Sequence, residues 1–560
     1  MLWNLMNSIF GDKLFKQIFW VPDAILLSLI LVGFFYFLVF QDKKLVTLRY
    51  IKFLLFAVTF YVFSLYPVQW VINNEWVLWD FNFGTVLADH GGYVVTRLMV
   101  ALPWLLFLVL LYIDTVNNNR ASLELPFLSS LLFWFFIVGT MVYNYFLLFV
   151  IMEAITLSIV IIAGIVLSVT RTKSLKALLQ FLVLNLSVST FYLLGVAVLL
   201  WLAPYTGDYT LNYEAVLAIF SDVALSDNYD KTVVLLSVKL ALALIIVPIV
   251  FKLTLAPFSV WIASIYSELP VIVLFIVMTV YKAVYILIFI RLFLEVINIV
   301  PELASFWTDS MFLFVLPSMF IGCFAYRVQD LKTVLALTTV SQMGYIMSGL
   351  IVQSVSAGTY SIIYLVTYCF QLFGLLALII LLQNKFDIVN LAQLFLIKRY
   401  SSLCYWSLFI IFLSLAGLPP FAGFFTKYFL FLSLYNSGNV VLAMAGLASS
   451  VLMAVIYLQM TLQLITVKES HGAFTFDNTA KNALFVERDS VYEYMCAIVK
   501  GFLVFLLAYN IGFGLILPSI YELAFPITFD LYFWGDLMYS HDMAIIEAAG
   551  QELLAESKVA

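Results

Sequence analysis

The stretch Leu403–Tyr435, LCYWSLFIIFLSLAGLPPFAGFFTKYFLFLSLY, decides the fold class. This apolar run is longer than the about 20 residues that one helix needs to cross a bilayer. It is interrupted by Gly417, Pro419, Pro420 and Gly423. Proline removes a helix hydrogen bond and clashes with the preceding turn, so we expect two half-helices around a short break. Lys427 follows that break directly.

The rest of the chain has the same membrane character. Of its 560 residues, 65% are hydrophobic and 11% are charged, whereas soluble proteins average about 45–50% and about 25%. Long apolar runs in lipid must be helical because lipid offers no partner for backbone polar groups. The sequence therefore predicts an all-α polytopic membrane protein with about 14 transmembrane helices.

A second over-long span, 232–266, contains Pro248 and Pro257 and is also expected to break. The two broken helices are the fourth spans of two five-helix units, 124–298 and 299–466. Five is an odd number, so we expect the units to be inverted repeats. Broken helices at corresponding positions of two repeats indicate a transport site. The flanking regions are 1–123, with three helices, and 467–560, with a polar loop, a last helix and a surface tail.

Ionisable side chains inside apolar spans are costly and point to function. Four of them stand out: Glu153, Lys252, Lys282 and Lys427. A lysine removed from water releases its proton more readily, and a nearby carboxylate opposes that release. A Glu–Lys pair that can separate is therefore a proton switch. The alternative is that such charges pair structurally or reach to the interface, which Lys239 and Arg291 fit.

Three motifs carry a resemblance to a known family. They are SLAGLPPFAGFFTKYFLF from Ser414, FKLTLAPFSVWIASIYSELP from Phe251 and QDLKTVLALTTVSQMGY from Gln329. Together they resemble the antiporter-like subunits of respiratory NADH dehydrogenase (complex I), which are relatives of multi-subunit cation/proton antiporters. The resemblance runs from the fourth to the thirteenth span. Lysine at position 427 and the length of the C-terminal region favour the subunit 2 branch over subunits 4 and 5.

The resemblance implies that Glu153, Lys252, Lys282 and Lys427 form a proton relay. The supporting residues it implies are Pro257, Pro419, Pro420, Gly423, Ser341, Gln342 and Tyr345. Among the positions that depart from the family pattern, Ser259 and Gln342 stand where histidines are common. Glutamine does not titrate, so we expect water, Tyr345 or Ser341 to replace that histidine.

The resemblance also implies where the redox chemistry lies. NADH, FMN, iron–sulfur clusters and ubiquinone are expected in partner subunits, with no cofactor and no metal in this chain. His90, His471 and His541 all lie in polar segments, which leaves no intramembrane haem ligand. The expected partners are other membrane-arm subunits, namely antiporter-like subunit 4 and the small membrane subunits, together with lipids and supercomplex partners. A net charge of −5 gives no basic surface for nucleic acid.

Lysine and arginine concentrate in the odd-numbered connections, which places both termini on the outer, intermembrane-space side. The 53 phenylalanines favour a mitochondrial inner membrane, and a bacterial plasma membrane is the alternative. Two alternative functions stay open. One is a Mrp-type cation/proton antiporter subunit, and the other is a structural spacer of the membrane arm that has lost pumping.

Overall fold

The computed structural model describes residues 21–38, 43–74, 92–118, 124–140, 142, 144–167, 172–202, 231–292, 301–352, 354–386, 402–466 and parts of 504–521. The regular elements in these ranges are all helices, as expected for an all-α membrane protein. The loop 467–495 and the tail beyond 521 lie outside them.

The first six helices cover the N-terminal region and the start of the first predicted repeat. They are α1 (Val21–Leu38), α2 (Lys43–Asn74), α3 (Gly92–Asn118), α4 (Glu124–Gly139), α5 (Tyr145–Leu167) and α6 (Thr172–Leu202). Each coincides with an apolar run of the sequence. A helix in a membrane packs some of its apolar side chains against other helices and exposes the rest to lipid, so apolar residues suit every face.

The first broken helix consists of α7 (Lys231–Lys252) and the short α8 (Ile262–Glu268). The helix continues through Pro248 and ends at Lys252, so the expectation that Pro248 contributes to the break is wrong. At the end of α7, the amide of Leu255 donates to the carbonyl of Val250 at 3.2 Å. Between them Thr254 has a φ of 65°, a left-handed conformation that is strained for a β-branched residue.

The next span, Val271–Ile290, is the central helix of the bundle. It contains α9 (Val271–Phe275), a π-helical turn (Ile276–Val280) and α10 (Tyr281–Ile290). Every residue from Val271 to Ile290 is buried, because helices α3, α4, α5, α7 and α13 surround it. Nothing in the sequence predicts the π turn.

The second half of the chain repeats the pattern of long spans around a break. Its helices are α11 (Pro301–Ile321, followed by a 3-10 turn Gly322–Arg327), α12 (Leu331–Ile351), α13 (Val355–Phe386), α14 (Ser402–Ala416), α15 (Ala422–Asn436) and α16 (Val440–Thr466). The break between α14 and α15 falls at Gly417, whose φ of 82° suits the residue after a helix end. Gly423 lies just inside α15.

Eight helices in the described ranges are long and apolar enough to cross a membrane by themselves. Helix α12 is almost wholly buried, whereas α6 and α16 expose apolar side chains along one face. The total of about 14 spans, the inverted relation of the two repeats and the orientation of the termini stay predictions.

Candidate functional site

Lys252 is the last residue of α7, and its side chain turns into the bundle. The side chain is 1% exposed. Its ammonium donates a hydrogen bond to the hydroxyl of Tyr285 in α10 at 3.2 Å and lies 5.2 Å from the centre of that ring. The break therefore places this lysine at the end of a half-helix, in contact with the central helix.

Glu153, in the middle of α5, faces the same region. Its carboxylate interacts electrostatically with Lys252, Tyr281 and Tyr285. Both of its oxygens are buried, and neither has a hydrogen-bond partner within the described part of the chain. The charges of Glu153 and Lys252 thus interact without a direct hydrogen bond. This is the separated state of the two states, paired and separated, that a proton switch requires.

Lys282 opens α10 immediately after the π turn. Its side chain is fully buried, and its ammonium has no hydrogen-bond partner among the residues that the structure describes. Because the central helix has no lipid-facing side, Lys282 cannot reach an interface by extending along lipid. A buried, unsatisfied ammonium is a group that needs a mobile partner such as water.

Lys427 lies in α15 and folds back onto the second break. Its ammonium donates to the carbonyl of Leu415 at 2.8 Å and lies 3.5 Å from that of Ala416. These carbonyls end α14, where the helix dipole is negative and attracts a cation. The ammonium also lies 5.9 Å from the centre of the Tyr345 ring.

Lys252 and Lys427 occupy different positions relative to the breaks beside them. Lys252 belongs to the half-helix that precedes its break, whereas Lys427 belongs to the half-helix that follows. Both nevertheless lie beside the C-terminal end of the preceding half-helix. Each break therefore offers a site for a positive charge inside the bundle.

Gln342 and Tyr345, on the buried α12, lie between these breaks and the polar side chains of α13 and α16. The hydroxyl of Tyr364 in α13 donates to the Gln342 side-chain carbonyl. Tyr457 in α16 interacts with the side chains of Gln342 and Thr338. Gln342 is thus the centre of a buried polar cluster.

Ser341 has a different environment. Its hydroxyl accepts from the Gly322 amide at 2.7 Å and lies 3.4 Å from the Ser318 carbonyl. These contacts tie α12 to α11 and its 3-10 turn. Ser341 therefore joins two helices by hydrogen bonds, and its part in a relay stays a prediction.

Ser414 holds the second break together. Its hydroxyl accepts from the Gln371 amide at 2.7 Å and from the Gly423 backbone amide at 3.1 Å, and it donates to Asn510 at 2.8 Å. These bonds join α13, both halves of the broken helix and the last helical segment. A Cβ on Gly423 would lie 1.8 Å from the Ser414 carbonyl oxygen, so only glycine fits there.

The prolines of the motifs lie at the outer side of the breaks. Pro257, Pro419 and Pro420 are exposed, and the Ala256–Pro257 and Pro419–Pro420 peptide bonds are cis. Arg291 does not reach to an interface as its position implied: it is buried and donates to the Thr140 carbonyl. Lys239 is half-buried, with its ammonium over Phe306.

Sequence reasoning missed most of the polar groups around the lysines. The tyrosines at 281 and 285 flank Lys282, and those at 364 and 368 form another pair. Each pair has the spacing that puts two side chains on one face of a helix. That spacing is the signal that could have singled them out from the other buried aromatic residues.

In the described ranges, no cluster of histidine, cysteine and acidic side chains is arranged to hold a metal ion. Cys323 and Cys369 are free thiols. The groups that the structure gathers at the two breaks are carboxylate, ammonium and hydroxyl groups, which donate and accept protons.

The fold and the site together define a class: a polytopic helical membrane protein with two interrupted helices and a buried lysine at each break. Residues 142–453, more than half of the chain, match the model of the family described as NADH:quinone oxidoreductase/Mrp antiporter, transmembrane region. The chain belongs to this family.

Named relatives agree with this membership. The chain is 26% identical over 407 residues to NAD(P)H-quinone oxidoreductase subunit 2 of the chloroplast of Mesostigma viride, covering 70% of this chain and 76% of that protein. It is 25% identical over 445 residues to NADH-quinone oxidoreductase subunit N of Ruthia magnifica, covering 78% and 86%.

Two solved structures share the fold. A chain of respiratory complex I from Thermus thermophilus superposes with a TM-score of 0.64 at 22% identity, covering 89% of this chain and 99% of that one. A chain of the Mrp complex from a Dietzia species superposes with a TM-score of 0.66 at 19% identity, covering 91% and 98%. The fold alone does not separate the two kinds of complex.

Proposed function

We propose that the chain serves in the membrane arm of a proton-translocating NADH:quinone oxidoreductase, in the place that subunit 2 or N takes among its relatives. Protons pass through it by way of Glu153, Lys252, Lys282 and Lys427. The observation that carries the proposal is the placement of a buried lysine at each of two breaks, one of them under the electrostatic influence of Glu153.

The site supports a switching mechanism. Moved towards Lys252, the Glu153 carboxylate stabilises its charged form. Moved away, it leaves a buried ammonium whose only hydrogen bond within the described residues is to Tyr285, and burial then favours release of the proton. Lys282 and Lys427 continue the relay because they too are buried away from lipid.

In this proposal, electron transfer takes place in the partner subunits. NADH, FMN, iron–sulfur clusters and ubiquinone bind other subunits of the complex, and antiporter-like subunit 4 and the small membrane subunits adjoin this chain. The membrane is the mitochondrial inner membrane or, for a bacterial source, the plasma membrane, and both termini face outward. The curated relatives come from a chloroplast and from a bacterium and do not decide between these membranes.

The decisive experiment measures protons translocated per NADH oxidised in sealed membrane vesicles. Lys252→Met and Lys427→Met keep the length of the side chain and remove the charge. Each is expected to lower pumping by roughly 100-fold, since loss of a positioned proton donor or acceptor costs on the order of 10²-fold or more. Lys239→Met, on the same helix but only half-buried, is the matched control and keeps wild-type pumping.

Two alternatives give other outcomes. A Mrp-type antiporter, which the family description includes, predicts sodium-driven proton exchange by a small membrane assembly that lacks NADH oxidation. Native electrophoresis with an NADH activity stain detects that case. A structural spacer predicts that both methionine variants change only the amount of assembled complex, and wild-type pumping per complex would reject the proton-relay proposal.

A further inference from the structure

The outward face of α2 carries two positive charges that the proposed relay does not use. Arg49 and Lys52 are both exposed, and residues three positions apart are neighbours on one face of a helix. Phe56 and Phe60 continue the same face over the next two turns and are 67% and 47% exposed, with their ring centres 6.5 Å apart. The face therefore changes from cationic to aromatic along the helix axis.

The length of α2 indicates how deep these residues lie in a membrane. The helix has 32 residues, which span about 48 Å, whereas the hydrocarbon core is about 30 Å thick. A centred helix therefore extends about 9 Å beyond the core at each end. Arg49 follows the first helical residue, Lys43, by six positions, which is also about 9 Å. Arg49 thus lies at the boundary of the hydrocarbon, Lys52 lies about one turn further in, and the two phenylalanines lie at the depth of the acyl chains.

Helix α3 forms the other side of the same site. The ammonium of Lys52 lies 5.8 Å from the centre of the half-buried Tyr112 ring. Tyr112 comes six residues before the end of α3, as Arg49 comes six residues after the start of α2. A tyrosine at this depth is typical of the membrane interface, where its ring is apolar and its hydroxyl meets polar groups. Val109 and Leu105, also half-buried, continue the Tyr112 side of α3. We call this junction of the two helices the α2–α3 seam.

The positive charge of the α2–α3 seam is not neutralised by the residues that the structure describes. Helix α2 contains four basic residues and no acidic residue. In the described ranges, neither Arg49 nor Lys52 has a hydrogen bond or an ion pair, and Lys52 has the Tyr112 ring. Asp114, the acidic residue of α3, is 8% exposed and has an interaction of its own. Asp42, just before α2, lies outside the described residues. The seam therefore offers two cations to an anion.

We propose that the α2–α3 seam binds an anionic phospholipid, with its phosphate between Arg49 and Lys52 and an acyl chain along Phe56 and Phe60. Basic side chains at the matrix or cytoplasmic end of membrane helices suit such headgroups. The excess of lysine and arginine in the odd-numbered connections predicts that α2 starts on that side.

The two parts of the seam select this occupant together. A free phosphate gains nothing from the phenylalanines, and a zwitterionic lipid brings a positive group towards the same two cations. A protein helix fits less well, because helix–helix contacts in membranes favour small residues and this face presents two exposed phenylalanines. An anionic headgroup on an acyl chain satisfies both the charge and the apolar surface.

The site is independent of the proton relay, so its test measures lipid rather than pumping. The purified complex that holds the chain is reconstituted in phosphatidylcholine vesicles that contain a trace of phosphatidylglycerol with a photoactivatable group on its acyl chain. A parallel sample receives phosphatidylcholine with the same photoactivatable group. After illumination, lipid attached to residues 53–62 is quantified by mass spectrometry per chain recovered in the assembled complex.

In the wild type, we expect the phosphatidylglycerol probe to label these residues about tenfold more than the phosphatidylcholine probe. Each basic side chain near a membrane surface contributes about fivefold to the binding of anionic lipid. Arg49→Gln and Lys52→Gln are therefore each expected to lower the preference by about fivefold, and the double variant is expected to label equally with both probes.

Two controls separate charge from general effects on the protein. Arg49→Lys combined with Lys52→Arg keeps both charges and is expected to keep the preference. Arg327→Gln removes another exposed cation, one that lies three positions before the exposed Asp330, and is expected to leave labelling of α2 unchanged.

Three results would overturn the proposal. Equal labelling by the two probes in the wild type does so by itself, even if the variants assemble poorly. A phosphatidylglycerol preference that persists in the double glutamine variant shows that other groups select the lipid. Absence of labelling by either probe shows that another subunit covers this face, and the occupant is then a protein.

Discussion

Single side chains decide how the first break works. Lys252 has one described hydrogen bond, to Tyr285, and it also has the electrostatic influence of Glu153. The hydroxyl therefore holds the ammonium in place when the carboxylate is not in contact with it. A hydrogen bond to a charged group contributes about 1.5–3 kcal/mol, which is enough to set the direction of a long, flexible side chain.

Tyr285→Phe removes this hydroxyl and keeps the ring over which Lys252 lies. We expect the variant to slow NADH-driven proton pumping by roughly tenfold, the rate equivalent of about 1.4 kcal/mol in the barrier, and to do so less than Lys252→Met. The measurement is the initial rate of vesicle acidification at fixed NADH oxidation. A Tyr285→Phe complex as defective as Lys252→Met would show that the tyrosine does more than hold the lysine.

At the scale of residues, the sequence alone was enough to single out the charged side chains inside the apolar spans. It was not enough to single out the side chains that contact them. Glu153, Lys252, Lys282 and Lys427 stand out because a charge in an apolar span has a high cost. Tyr364 and Tyr457 do not stand out, since the chain contains 32 tyrosines and 53 phenylalanines and most of these pack as ordinary aromatic residues. Only tertiary contacts reveal which hydroxyls share a neighbour.

At the scale of helices, both breaks were predictable because proline and glycine mark them. The exact end of α7 was not, since Pro248 lies inside it and the helix continues for another turn. The π turn before Lys282 has no compositional signal, because its residues, IVMTV, contain neither proline nor glycine. The junction at Ser414 depends on four separate parts of the chain and cannot be read from a local pattern.

The close approach of α14 and α15 makes a prediction at this scale. In Gly423→Ala the new methyl group would overlap the Ser414 carbonyl, a backbone atom that cannot turn away. We expect the variant to lose most of its assembled complex, as overpacking typically costs about 1–3 kcal/mol or more. Native electrophoresis of solubilised membranes measures the assembled fraction.

Gly164→Ala is the control for that experiment. Gly164 lies within α5 with no atom within 4 Å of an added Cβ, and alanine favours a helix over glycine by about 0.5–1 kcal/mol. We expect normal or increased assembly. Equal assembly of Gly423→Ala and wild type would mean that the two half-helices lie further apart than the structure places them.

At the scale of the whole molecule, the apolar surface is unevenly distributed. Helices α9, α10 and α12 are buried almost completely, and α6 and α16 expose rows of large apolar residues. Composition predicted a membrane protein but not this division, because a lipid-facing leucine and a core leucine look alike in sequence. Lys282 lies on the surrounded α10, whereas Lys252 and Lys427 are buried side chains of α7 and α15, whose other faces expose apolar residues.

Val183, near the middle of α6 and 60% exposed, tests this arrangement. Val183→Asp places a carboxylate on the outer face, where a charge at the centre of a membrane helix costs about 2.5–3.5 kcal/mol. We expect the amount of chain in the membrane to fall several-fold by immunoblot, with Val183→Ala near wild type. Normal levels of the aspartate variant would indicate that this face lines water.

The two breaks also differ in when their partners are synthesised. Lys427 bonds to carbonyls of residues 11 and 12 positions earlier in the chain, so the second break can close as soon as it leaves the ribosome. The hydrogen-bond partner of Lys252 is Tyr285, which is translated later. Tyr285 belongs to a helix that is wholly buried in the folded protein. During biogenesis the newly inserted Lys252 therefore has only Glu153 to compensate its charge, and the insertion machinery must shelter it until the central helix arrives.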